Sequence, residues 1–201
     1  MKNIYFLLFG LIACFFCSCE SDRIVRVENG MIHHAGGATT PIPHWDEEGW
    51  THFFIVRHAE KANPIPAPSD PPGPPLSQQG EARATRLGEI MKRAGLDLVY
   101  KTDFIRTTET AKKVQAHYPN IPVPIDYVLT DAWLANQVSE NRGKRIFVVG
   151  HQNTIPVIVE KLMGNDFRVL LSPGEKDFGK FYVVASRGIG DSELMSEVMF
   201  Y

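Results

Sequence analysis

A chain of 201 residues, 44% of them hydrophobic, has room for one α/β domain with a sizeable core. Its formal charge of −2, with no basic stripe, argues against a nucleic-acid surface, so any anion site has to be a local cationic pocket. Nothing repeats at a fixed period, which excludes solenoids.

The chain begins with Lys2 and an almost wholly apolar run from Ile4 to Phe16. The run is short for a bilayer span and suited to the h-region of a secretory signal. It ends in Cys14, Cys17 and Cys19, the only cysteines of the chain. This resembles a bacterial lipoprotein signal, in which a small residue precedes a cysteine that becomes acylated. Leu11-Ile12-Ala13-Cys14 fits the usual letters, whereas Cys19 gives a more normal signal length and is followed by Glu20-Ser21-Asp22. The expectation is a signal over residues 1–19 with Cys19 acylated, Cys14 being the alternative. The protein would then be exported across the inner membrane and anchored by lipid in the cell envelope. Processed at Cys19, the chain keeps no other cysteine, which excludes an internal disulfide, a cysteine zinc site and a thiolate nucleophile.

Residues 20–50 read as an extension outside the core. Arg23-Ile24-Val25-Arg26-Val27 alternates well enough for one strand, and Glu28-Asn29-Gly30 signals a turn. His33, His34 and His44 lack carboxylate or cysteine ligands at fitting intervals and read as solvated loop residues. Trp45 and Trp50 are expected to pin the segment onto the domain of residues 51–201.

Phe53-Phe54-Ile55-Val56 is a short apolar run that reads as a buried strand, and it leads straight into Arg57-His58-Ala59-Glu60-Lys61. In an open α/β sheet, ligands bind outside the carboxyl ends of the strands, where Arg57 and His58 would sit. Seven prolines between Asn63 and Pro75 forbid helix and ladder pairing, so this stretch is a loop, either a rim of the pocket or a stiff spacer. Ser77 is placed to N-cap a helix from Gln78 to about Ala94, closed by Gly95, with Ala82, Leu87, Ile90 and Met91 facing inward. A second strand, Asp97 to Tyr100, feeds a helix opened by Thr102 or Asp103 and running to about His117, before Pro119; His117 reads as structural. Ile121 to Ile125 is expected as an edge strand and Trp133 to Asn141 as a short helix. Arg145 to Gly150 is the third core strand, followed by His151 and a helix from Thr154 to Met163. Lys180 to Ala185 and Leu194 to Tyr201 read as final strands. This alternation predicts a three-layer α/β/α sandwich around a mostly parallel central sheet.

Two core strands thus deliver an imidazole, His58 and His151, to one edge, and two arginines come with them. The stretches Arg57-His58-Ala59-Glu60, Leu76-Ser77-Gln78-Gln79-Gly80, Thr102-Asp103-Phe104-Ile105-Arg106-Thr107-Thr108-Glu109-Thr110 and Gly150-His151, in this order, resemble the histidine phosphatase superfamily, the phosphoglycerate-mutase-like group. The resemblance covers roughly residues 51–185. It implies a phosphoglycerate-mutase-like fold and a phosphomonoester hydrolase in which His58 becomes phosphorylated while Arg57, Arg106 and His151 hold the phosphate. Planar arginine forks suit phosphoryl oxygens, a protonated His151 would add a donor, and the helix N-termini after residues 103 and 153 would add amides. No metal ligand set is visible and no cofactor is expected. The family's proton donor has no clear counterpart: Asp126 and Asp131 lie in the corresponding segment, Asp131 being preferred, with Glu60 in reserve. The mutase-type Glu-Arg-x-Tyr-Gly stretch is missing, which disfavours phosphoglycerate-mutase-type transfer; a non-catalytic phosphate-binding lipoprotein is the other alternative. The expected substrate is a phosphorylated small molecule or a phosphorylated envelope component.

Overall fold

The computed structural model describes residues 20–63, 72–164, 168–169, 177–195 and 201. Cys14, Cys17, Cys19, most of the proline-rich run and most of the expected 194–201 strand lie outside the described residues.

The central sheet has the order β6-β5-β7-β4-β8-β9. Its strands are β4 (Thr51–Arg57), β5 (Leu98–Lys101), β6 (Ile125–Asp126), β7 (Arg145–Gly150), β8 (Phe181–Gly188) and β9 (Asp191–Leu194). The β4–β7, β5–β7 and β5–β6 pairs are parallel, and β8 and β9 add an antiparallel hairpin on the other side of β4. Helices α1 (Gln78–Met91), α2 (Ile105–Gln115), α3 (Asp131–Glu140) and α4 (Ile155–Met163) cover both faces. The α/β fold with a mostly parallel sheet is therefore as the alternation of elements required.

Strand period sorts the core. Phe54 and Val56 join Leu87 and Ile90 of α1 and Ala111 and Val114 of α2 in one buried cluster. Phe53 and Ile55 join Leu134 of α3 and Ile155, Ile158 and Leu162 of α4 in the other. All seven residues of β4 are buried, as a strand covered on both faces must be.

Residues 20–50 are not peripheral. They form an antiparallel meander of β1 (Ile24–Glu28), β2 (Met31–His34) and β3 (Thr39–Pro41). Ile24, Val27, Ile32 and Ile42 lie in the same cluster as Phe54 and Leu87, each contributing about 1.5–3 kcal/mol by burial. Trp45 does pin the segment, edge-on to Phe54 at 6.4 Å with the Arg145 guanidinium 4.1 Å above its ring. The three histidines are not free loop residues: His33 and His34 lie in β2, and all three contact neighbouring groups. His33 meets Arg26 at 3.2 Å, His34 lies 2.8 Å from the Asp22 carbonyl, and His44 reaches Glu47 at 2.9 Å and Glu193 at 3.1 Å.

Helices α1 and α2 end at Met91 and Gln115, short of Ala94 and His117, and three other boundaries differ from expectation for local reasons. Helix α2 starts at Ile105, not at Thr102 or Asp103, because the Thr107 hydroxyl donates to the Thr102 and Phe104 carbonyls and the Thr102 hydroxyl is taken by His151. Helix α3 starts two residues earlier than Trp133, because Thr130 caps it by accepting from the Trp133 amide at 3.0 Å. The edge strand shrinks to Ile125–Asp126, the residues beyond the prolines at 122 and 124.

Candidate active site

Backbone pairing carries β4 one step past its end: the His58 amide donates to the Gly150 carbonyl at 3.0 Å, which seats His58 beside the start of the His151 turn. The two rings face each other edge-on, 5.3 Å between centroids. His58 is 3% exposed. Its Nδ1 lies 2.7 Å from the Ala59 carbonyl and must be the protonated nitrogen, since a carbonyl can only accept. That leaves the Nε2 lone pair aimed into the pocket, where Arg106 Nε donates to it at 3.1 Å. Burial, then the Arg106, His151 and Arg57 charges, push the His58 pKa down to about 3, so the ring is neutral at pH 7.

His151 is held in the other tautomer. Arg106 Nη2 approaches its Nδ1 at 3.4 Å as a donor, so Nε2 carries the hydrogen and gives it to Thr102 Oγ1 at 2.8 Å. Thr154 accepts from the His151 amide at 2.9 Å and fixes the turn. Burial, followed by Arg106 and Arg57, lowers the His151 pKa to about 4. The expected protonated donor is thus a neutral ring beside two arginines; a bound dianion would offset those charges and raise it.

Arg57 is 5% exposed, donates to the Asp177 carbonyl at 3.4 Å and lies 4.0 Å over the Phe178 ring. Arg106 rests 4.5 Å over Phe104. The remaining motif positions hold these groups in place. Thr110 accepts from the Ala59 amide at 3.1 Å and donates to the Arg106 carbonyl at 2.8 Å, and Glu109 accepts from the Leu76 amide at 2.6 Å. Gly80 is needed because a Cβ there would stand 2.1 Å from the Glu60 carbonyl oxygen.

Arg57, His58, Arg106 and His151 line one cavity of about 470 Å³, together with Lys61, Phe104 and the residues at 152–154. Among the described residues no carboxylate lines it. The helix ends contribute less than expected: the Phe104, Ile105, Thr154 and Ile155 amides are bonded to the Thr102, Pro72 and His151 carbonyls. Asp131 is not brought to the cavity; at the start of α3 its side chain is 83% exposed and pairs with Lys161 at 2.5 Å. Asp126 pairs with Lys101. Glu60 is gripped by Arg83, with contacts of 2.8 Å and 3.0 Å from Nε. Phe104 lies inside one of the four motif stretches and Lys61 directly follows another, and the sequence alone singled out neither. Phe178 carried no local signal, because only the return of the chain into β8 brings it to Arg57.

The family described as "Histidine phosphatase superfamily (branch 1)" matches residues 53–132. No curated protein sequence matches the chain. Among solved structures, an Agrobacterium tumefaciens protein described as a phosphohistidine phosphatase, SixA, superposes with a TM-score of 0.55 at 23% identity, over 73% of this chain and 96% of that one. A protein histidine phosphatase SixA complexed with tungstate gives 0.54 at 19%, over 73% and 97%. An Entamoeba histolytica phosphoserine phosphatase mutant in complex with phosphoserine gives 0.52 at 15%, over 73% and 95%. At these identities the likeness is one of fold.

Proposed function

We propose that this chain, which belongs to the histidine phosphatase superfamily, is a metal-independent phosphatase that hydrolyses phosphomonoesters through a phosphohistidine on Nε2 of His58. The observation that carries the reading is a neutral, buried imidazole whose lone pair points at Arg106 in a cavity lined by two arginines. A phosphoryl dianion entering between Arg57 and Arg106 draws the Arg106 Nε hydrogen from His58 to its own oxygen and uncovers the nucleophile. Nε2 then bonds to phosphorus as the bond to the leaving oxygen breaks, and Nδ1–H, held on the Ala59 carbonyl, lets the ring carry the developing charge. Water attacks the phosphoramidate, returning His58 and releasing inorganic phosphate.

Among the described residues no lining carboxylate is placed to protonate the leaving group, and such a lining favours phosphoryl donors whose leaving group departs readily, aryl phosphates and phosphoramidates above alkyl phosphates. The neighbours described as a phosphohistidine phosphatase and as a protein histidine phosphatase lend support to that preference. Rapid quench with labelled phenyl phosphate should trap label on His58 that survives alkali and is lost in acid, and His58→Ala should lose turnover by several orders of magnitude. Label on a carboxylate, or full activity in His58→Ala, would overturn the reading.

We further propose export and lipid anchoring through Cys19, supported by the apolar run Ile4 to Phe16 ahead of the cysteines. Cys19→Ala should abolish labelling by a fatty-acid analogue; retained label in that variant, with loss in Cys14→Ala, moves the site to Cys14. The substrate would then be a phosphorylated component of the cell envelope.

A further inference from the structure

We infer that Lys61 forms a second anion subsite at the mouth of this cavity, so that the substrate carries a carboxylate or second phosphate on its leaving group. The subsite presupposes the phosphatase reading of the pocket and names the kind of ester it takes.

Charge balance points to it first. A phosphomonoester dianion meets the guanidinium groups of Arg57 and Arg106, and among the described residues no carboxylate lines the cavity. Lys61 is a third cation lining the same cavity. Lys92, Lys101, Lys113 and Lys161 each pair with a carboxylate, whereas Lys61 has no ion-pair partner among the described residues.

Position comes second. Arg57 and His58 are buried, and Lys61, three residues further on, is exposed, so the cations are ordered by depth. The reacting phosphorus belongs at the buried end, which turns its leaving group towards Lys61. The backbone there is held: Lys61 makes a bridge with Leu76, and the Ala62 amide donates to the Pro75 carbonyl at 2.8 Å. Between the two ends, the Phe104 ring stands 4.9 Å from His151 and under Arg106, an apolar wall for the body of a leaving group. A volume of about 470 Å³ is of the size that holds a small molecule, roughly 300–1,000 Å³. A lysine, a compact charge on a flexible stem, reads the presence of an anion and tolerates its exact placement, whether carboxylate or phosphate.

The test compares phenyl phosphate with 4-carboxyphenyl phosphate on the full-length protein and on Lys61→Met, Lys61→Arg and Lys61→Glu. Wild type should favour the carboxylated ester in kcat/KM, and rising salt should narrow the gap. At a solvent-facing rim the relative preference should drop about three- to tenfold in Lys61→Met, through KM, persist in Lys61→Arg and invert in Lys61→Glu. An unchanged ratio of the two esters in Lys61→Met, or equal losses on both, overturns the subsite while leaving the phosphatase reading intact. Absence of any His58-dependent hydrolysis overturns both.

Discussion

Arg106 makes the most demanding contacts of any single side chain here. Its Nε donates to Nε2 of His58, its Nη2 approaches His151, and its plane lies on Phe104. Arg106→Ala should lower kcat by about 10²–10³-fold, the loss typical of one oxyanion donor, and Arg106→Lys should recover little, because a point charge reproduces neither the fork nor the stacking. A lysine variant with near-normal kcat would show that charge alone suffices. The His58 ring governs pH dependence differently. With its pKa near 3, His58 stays neutral down to about pH 4, so it sets no acid limb in the working range. The acid limb of kcat/KM should instead sit near the second ionisation of the substrate phosphate, about 6, and move with the substrate. A limb fixed near 6.5 for every substrate would mean that His58 titrates at its ordinary value.

At the scale of elements, α1 is the brace behind the loop that bears His58. Its Ser77 cap accepts from the Gly80 amide at 3.0 Å, and the Ser77 amide in turn donates to the Glu60 carbonyl at 2.8 Å. Gly80 lets the first turn of the helix sit against the backbone two residues after His58, and Gly88 does the same against α2, where a Cβ would stand 2.5 Å from the Lys113 carbonyl. Gly80→Ala should destabilise the protein by about 1–3 kcal/mol, as overpacking does, and also cut kcat, since the loop bearing His58 has to move. Ser77→Ala should cost about 1 kcal/mol. Urea midpoints and kcat for both variants check this; an active, fully stable Gly80→Ala would show that helix and loop are not coupled.

For the molecule as a whole, the histidines pull stability in opposite directions with pH. His58, His151 and His52 have pKa values lowered chiefly by burial, so their contribution is present above about 6.5 and is lost as pH falls towards the folded values. In His44, partial burial opposes protonation but Glu47 and Glu193 outweigh it and raise the pKa; its contribution is present below about 6.5 and fades as pH rises through the folded value. The lowered group is larger and more deeply set, so Tm should fall between pH 7 and pH 5. His44→Gln should steepen that fall by removing the opposing term. A Tm that climbs on acidification would contradict the buried, neutral state of His58 and His151.

The convergence of Arg57, His58, Arg106 and His151 on one cavity was legible in the amino-acid sequence because its parts are local. Arg57-His58 and Gly150-His151 each end a strand whose apolar run is unmistakable, and Arg106 sits one residue inside a helix, so element type alone delivers all four groups to one sheet edge. The same locality explains Ser77 and Gly80, whose roles are fixed by the start of α1. What needed the tertiary structure were contacts between stretches far apart in the chain. Alternation in β1 marks a strand, but not that Ile24 and Ile32 bury against Phe54; solvent exclusion there depends on how the meander lies across α1. An aspartate just ahead of a helix reads equally well as an acid or as a surface residue, and only the placement of α3 beside α4 hands Asp131 to Lys161, away from the cavity. Likewise the tautomers of His58 and His151 follow from Ala59, Thr102 and Arg106 meeting at one point, and partner geometry of that kind is decided by packing, not by order along the chain.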